Sequence, residues 1–424
     1  MSAALTQLAA LYHGGTPQGV TSVCSAHPLV LRAALRHGHQ TGATVLIEAT
    51  CNQVNHRGGY TGMRPADFVA LVHDLAAQEG CARENIVLGG DHLGPNPWRK
   101  QPVEAAMGEA EAMMKAYVSA GFRKIHLDAS MGCAGEPLGL DDETTANRAA
   151  QLARVAEETA RRQGLEPPIY IIGTEVPPPG GADHLISEIV PTSPDAARKT
   201  FAVHRETFAR LGLSEAFERV IGLVVQPGVE FGNQNVVAYQ PTAARDLVGI
   251  LKETPSVVFE AHSTDYQGAE PLRQLVQDGF AILKVGPELT FVLREAFYAL
   301  DLIASDLLPD YGNRPLFCAM EELMLEAPGY WESHYHGDYA EQRVLRHYSL
   351  SDRLRYYWTD PKAQAAVSRL IEALRGQSVP QPLFWQHMPA GSRFSNAPLD
   401  PEDLVIWRVM ECLKTYHGAC VSHH

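Results

Sequence analysis

NIVLGGDHLGPNPW, residues 85–98, carries the pattern on which the first two thirds of the chain are built. An apolar, partly β-branched run opens it. The run ends in Asp91 and His92, and a Gly- and Pro-containing loop follows. A short apolar run bounded by turn residues reads as a strand buried on both faces. Such strands belong to parallel sheets covered by helices. Seven further runs repeat the theme at 19–25, 44–50, 124–130, 169–175, 220–226, 256–262 and 281–286. Amphipathic helical stretches follow them, for example at 65–79, 144–163, 193–212, 242–253 and 290–307. Several open on a start signal, such as Arg64-Pro65-Ala66-Asp67 and Ser193-Pro194-Asp195.

Eight strand-helix units in about 300 residues predict an α/β fold of the (β/α)8 TIM-barrel type. A doubly wound sheet is the competitor, but no GxGxxG follows the first strand. After residue 308 the strand signals fade, and helical stretches appear near 316–326, 361–376 and 401–417. The expected organisation is a barrel over 1–308 and a helical C-terminal extension over 309–424, packed on the barrel.

Composition narrows the function. The net charge of −14 on 424 residues, with no basic block, argues against nucleic acid as a partner. No apolar run approaches the ~20 residues of a membrane span. The seven cysteines are scattered and form no CxxC pair. That suits a reducing cytoplasm and argues against a thiolate zinc site.

Barrel enzymes carry their chemistry at the C-terminal ends of the strands. Here those ends are rich in ionisable and polar groups: Glu48, Asp91, His92, His126, Asp128, Glu175, Gln226, Glu260, His262 and Lys284. Side chains alternate along a strand, so Glu260 shares a face with His262, and His126 with Asp128. Acids inside a barrel need a cation, a metal or a hydrogen-bond network. The expected metal ligands are His92, Glu175 and His262, two imidazoles and a carboxylate around a divalent metal, with Zn2+ first in line. Asp91, beside the first ligand, is the expected general base, with Asp128 and Glu260 as other candidates. Lys284 is either an imine-forming lysine or a salt-bridge cation. Glu48, Asn52 and Gln226 are expected to meet substrate. Arg353 and Arg355, in SLSDRLRYYW, form either an anion clamp or an exposed helix surface.

Taken together, EATCNQVNHRGGYTGM (48–63), GGDHLGPNPW (89–98), IHLDASM (125–131), IIGTEVPPPGG (171–181), VVQPGVEFG (224–232), FEAHSTDYQ (259–267), ILKVGPELTF (282–291) and SLSDRLRYYW (349–358) resemble the tagatose-1,6-bisphosphate aldolase Z-type subunit family. The resemblance runs from about residue 4 to 420. It implies a role in galactitol and N-acetylgalactosamine catabolism, with a zinc-dependent class II aldolase catalytic subunit as partner and a sugar or sugar phosphate as ligand. A homo-oligomer is left open. Some relatives act instead as epimerases at carbon 4 of ketohexoses, which makes an autonomous metal-dependent epimerase or aldolase the alternative. Within the wider class II barrel pattern, Asp91-His92 looks like the base and ligand pair, Asp128 and Glu175 like the acids of strands four and five, and His262 like the strand-seven ligand. The strand-eight histidine of that pattern has no counterpart in ILKVGPELT, and HSTDYQGAEP stands where a Gly-rich phosphate loop would be. Both departures argue against bisphosphate cleavage by this chain alone.

Overall fold

The computed structural model describes residues 3–174 and 189–421. Eight parallel strands close into a barrel in sequence order: β1 (Val20–Val23), β2 (Val45–Thr50), β3 (Ile86–Leu93), β4 (Lys124–Leu127), β5 (Ile169–Ile172), β6 (Val220–Val225), β7 (Val258–Ala261) and β8 (Phe280–Val285), with β8 pairing β1. The fold is therefore the (β/α)8 barrel that the repeated strand-helix pattern predicts. Among the described residues, no helix is long and apolar enough to cross a membrane.

Each barrel strand is buried on both faces, for different reasons. Outward side chains such as Ile47, Leu88, Ile125, Tyr170, Leu223 and Phe259 join the surrounding helices in the main core. Inward side chains form layers. At the N-terminal end, Val20, Leu46, Val87, Ile169, Ile221, Val258 and Ile282 make a separate apolar plug, closed by Leu5, Leu8 and Ala9 of the N-terminal segment. The next layer is ionic: Glu48, Lys124 and Glu260 are fully buried there. Gly89 leaves the room that Glu48 takes, since a Cβ on it would stand 2.7 Å from Glu48 Cγ.

Charged groups survive in this interior because they are paired. Lys124 Nζ bridges Glu48 (2.6 Å) and Glu260 (2.7 Å), and Ser22 Oγ donates to Glu48 (2.6 Å). A lone ion there would carry a large desolvation cost.

Beyond the helix Pro287–Leu307, the chain continues through helices Pro315–Glu326, Tyr339–Tyr348, Pro361–Leu374, Gln381–His387 and Pro401–Cys420. The last of these buries Leu404, Val405, Ile406, Val409 and Leu413 in the main core. The helices Tyr339–Tyr348 and Gln381–His387, and a small hairpin pairing Glu230–Phe231 with Val236–Val237, carry little periodic signal, although Asp338 and Glu341 form a capping box at the start of the first. All three are short, so periodicity has too few residues to register.

Candidate functional site

At the C-terminal end of the barrel, β3 leaves regular geometry. Its pairing with β4 shifts register between Gly90 and Leu93, and His92 has a left-handed φ of 51°. On a regular strand, residues 91 and 92 would face opposite sides. The bulge turns both inward. The His92 amide lies 3.2 Å from His126 Nδ1, and its own Nδ1 lies 2.8 Å from Asp128 Oδ2. A non-glycine residue in this conformation is uncommon, and strain of this kind concentrates at functional sites.

The result is a buried cluster of Asp91, His92, His126 and His262, whose ligand atoms lie within 4.8 Å of one another and could hold a metal ion. The ring centroids of His92 stand 5.0 Å from those of both His126 and His262. Each imidazole meets a carboxylate through one nitrogen: His92 Nδ1 with Asp128 (2.8 Å), His126 Nδ1 with Asp91 (3.1 Å) and His262 Nε2 with Glu260 (3.0 Å). For His92 and His262 that fixes the ring and leaves the second nitrogen for a ligand; His126 offers Nε2 in the tautomer whose Nδ1 donates to Asp91 rather than accepting from the His92 amide. His126 Nε2 is buried with no hydrogen-bond partner among the described residues. Burial and the Lys284 charge push His262 down to about 3, so its ring is a neutral donor.

The surrounding charge points the same way. Four carboxylates, Glu48, Asp91, Asp128 and Glu260, stand against two ammonium groups, Lys124 and Lys284. Burial opposes protonation of His92, but Asp91 and Asp128 raise it; a divalent cation would take the place of that proton and offset the two negative charges that remain when the imidazoles are neutral. The donors and the charge balance therefore fit a metal ion.

Lys284 pairs with Asp91 and reaches Glu48 (3.3 Å) and Glu260 (3.5 Å). Burial works against its charge, but Asp91 and Glu48 outweigh it and hold the amine well above its ordinary range. In this structure Lys284 is thus a salt-bridge cation. Burial likewise opposes ionisation of Asp91, yet His92 and Lys284 hold it well below the usual carboxylate range. Against the same opposition, the hydrogen bond with His92 lowers Asp128.

A cavity of about 550 Å³ opens above this cluster. Asp91, His92, His262 and Lys284 line it, with Asn52 and Tyr60 from the loop after β2. The C-terminal extension supplies another wall through Arg355, Tyr356 and Trp358. Of the residues expected to meet substrate, Asn52 does line the cavity. Glu48 sits a layer below, occupied by Lys124, Lys284 and Ser22. Gln226 instead ties the loop after β6, accepting from the amides of Gly228 (2.8 Å) and Val229 (3.0 Å). Asp128 stands behind His92 and also accepts from Ser130 Oγ (2.8 Å). Glu260 is likewise buried beneath the cavity. Glu175 lies outside the described residues.

His126 is the residue that the expected ligand set lacked. Its signal was present, since Lys124, His126 and Asp128 alternate onto one face of β4. Nothing in the alternation itself separates a ligand from a hydrogen-bonding core histidine.

Gly94 sets how closely β3 and β4 approach behind the cluster. A Cβ on Gly94 would stand 1.5 Å from the carbonyl oxygen of Asp128. Backbone cannot rotate away as a side chain can. Gly94→Ala is therefore expected to cost stability at the upper end of the ~1–3 kcal/mol typical of overpacking. A urea denaturation midpoint equal to wild type would show that the Asp128 segment yields freely.

Residues 5–421 match the family model described as D-tagatose-1,6-bisphosphate aldolase subunit GatZ/KbaZ-like. The chain is 59% identical over 419 residues to D-tagatose 6-phosphate 4-epimerase of Agrobacterium fabrum, covering 99% of each chain. The crystal structure of a probable tagatose 6 phosphate kinase from Sinorhizobium meliloti 1021 is similar at 51% identity, with a TM-score of 0.87 over 95% of this chain and 100% of that one. Match to the family model over nearly its whole length, and to these relatives end to end, places this chain in the D-tagatose-1,6-bisphosphate aldolase subunit GatZ/KbaZ-like family.

Proposed function

We propose that this chain is an autonomous, metal-dependent 4-epimerase of a ketohexose 6-phosphate, with D-tagatose 6-phosphate as substrate. The observation that carries the reading is that one chain supplies Asp91, His92, His126, His262 and Lys284 together, beside a cavity large enough for a sugar phosphate. A subunit that only supports a catalytic partner needs no such arrangement. The name of the Agrobacterium fabrum relative supports the same reaction. The name of the Sinorhizobium meliloti protein suggests phosphoryl transfer instead; this sequence contains no Gly-Lys dipeptide, which excludes a Walker-type P-loop but not other kinase architectures. The seven free cysteines support a cytoplasmic location.

Carbon 4 of a 2-ketose lies one bond too far from the carbonyl for its C–H to be acidic. Its hydroxyl, however, is placed for a retro-aldol step. Asp91, ionised in its ion pair with Lys284, accepts the proton of the O4 hydroxyl. The C3–C4 electron pair moves onto C3 and into the C2 carbonyl, giving an enediolate and an aldehyde. The aldehyde turns over, C3 adds to its other face, and Asp91 returns the proton. No oxidant is needed, and the products of cleavage never have to leave. A divalent metal held by His92, His126 and His262, which we take to be zinc, would supply Lewis-acid stabilisation of the negative oxygen. Lys284 holds Asp91 in place, and the cavity walls keep the aldehyde from escaping.

The test is direct. The purified chain, loaded with zinc and without any partner, is expected to convert D-tagatose 6-phosphate to its 4-epimer. Deuterium placed on C4 should stay there, because the retro-aldol route never breaks that C–H bond. Absence of turnover by the chain alone, with enhanced activity of an added class II aldolase subunit, would return the chain to a supporting role.

A further inference from the structure

We infer that Arg355, in the C-terminal extension, is the anchor for the substrate's phosphate. This rests on the reading of the substrate as a sugar phosphate. Arg355 lines the same cavity as Asp91, His92, His262 and Lys284, but it lies in a short helical turn, Arg353–Tyr357, outside the barrel strands.

Its partners are all neutral. Nη1 donates to the carbonyls of Ser351 and Asp352, and Nη2 to Tyr356 Oη at 2.9 Å. The nearby Asp352 carboxylate is held by Arg294 at 2.7 Å. Among the described residues, no carboxylate lies within ion-pair distance of Arg355. The ammonium groups of Lys124 and Lys284 deeper in the barrel are both paired. A guanidinium facing an enclosed space without a counter-ion is matched to an anion that arrives from outside, and its planar fork suits a phosphate.

Two further observations place the phosphate there. A helix N-terminus is the usual anion site in such barrels. The helix Pro287–Leu307 opens onto the cavity, but its free amides are taken: Asp265 Oδ1 accepts from Gly286 (3.0 Å) and Glu288 (2.8 Å). The helix Pro28–Thr41 is capped by His27 Nδ1, which accepts from the Leu29 amide (3.2 Å). The carboxylates and ammonium groups of the cavity floor are paired with one another and offer no free cation to a phosphate. The phosphate is therefore directed to the extension wall, with the sugar carbons toward the His/Asp floor. The extension thus does more than cover the core: it selects phosphorylated sugars.

The experiment uses inorganic phosphate and the full-length chain. Phosphate at millimolar concentration is expected to raise the melting temperature of wild type and to inhibit turnover competitively. Arg355→Gln should lose both effects while keeping wild-type zinc content. Its KM for D-tagatose 6-phosphate should rise about 10–100-fold, the loss of a charge-assisted contact. Arg355→Lys keeps the charge and should retain part of the phosphate effect, which separates anion binding from damage to the fold. An unchanged phosphate effect in Arg355→Gln, or no phosphate effect in wild type, overturns the inference. If phosphate binds through Arg355 but no sugar phosphate is epimerised, the anion site stands and the proposed reaction falls.

Discussion

Asp91→Asn is expected to lower turnover of D-tagatose 6-phosphate by about 10²–10⁴-fold, the usual share of a general base, while zinc content stays near wild type. The amide keeps the shape of the carboxylate and removes its capacity to take a proton. Asp91 is placed for that task by three contacts. Lys284 pairs with it, His126 Nδ1 lies at 3.1 Å, and His92 Nε2 lies at 3.8 Å. It also faces the cavity, which Asp128, Glu48 and Glu260 do not line. The fold should tolerate the change, because Lys284 keeps Glu48 and Glu260 as partners. Metal analysis alongside the kinetics separates two roles. Loss of zinc together with turnover would make Asp91 a fourth ligand instead. Full turnover would move the base to another group.

The barrel was legible because its signal is repeated. Eight apolar runs, each ending in a polar loop, leave few alternatives, and the ends of those runs named most of the site. Asp91, His262 and Lys284 stand where alternation along the strands places them, around one cavity. What the pattern could not give was depth. Glu48 and Glu260 have the same parity as true cavity residues but lie a layer lower, buried against Lys124. Periodicity assigns a face, and depth depends on strand stagger around the closed barrel. Nor could alternation foresee that Asp91 and His92 both turn inward, since that depends on a bulge and one left-handed residue. For the extension the sequence left two readings of Arg353 and Arg355 open, an anion clamp or an exposed helix surface. Arg355 reaches the cavity only because a segment 71 residues beyond Lys284 folds back over the barrel mouth.

His126 is the sharpest test of the metal centre, because the alternation argument put it on one face with Asp128 without naming it a ligand. If it is a ligand, His126→Ala should lose zinc and turnover together. Removing one of three imidazole ligands leaves too few donors for a tight site. If it is only a packing residue, the variant should bind zinc normally and lose stability alone. The structure favours the first outcome. His126 Nε2 is buried with no hydrogen-bond partner among the described residues and sits beside the other two imidazoles, where a metal would meet it. Its ring centroid stands 5.0 Å from His92 and 5.2 Å from His262, so the three rings surround one point. His126→Gln adds a control, since it preserves a polar group near Asp91 but replaces the imidazole. Zinc content below one tenth of wild type in both variants, with His92→Ala and His262→Ala behaving alike, would establish a three-histidine centre. Wild-type zinc content in His126→Ala would instead leave the metal to His92, His262 and a carboxylate, with Glu175 the first to examine.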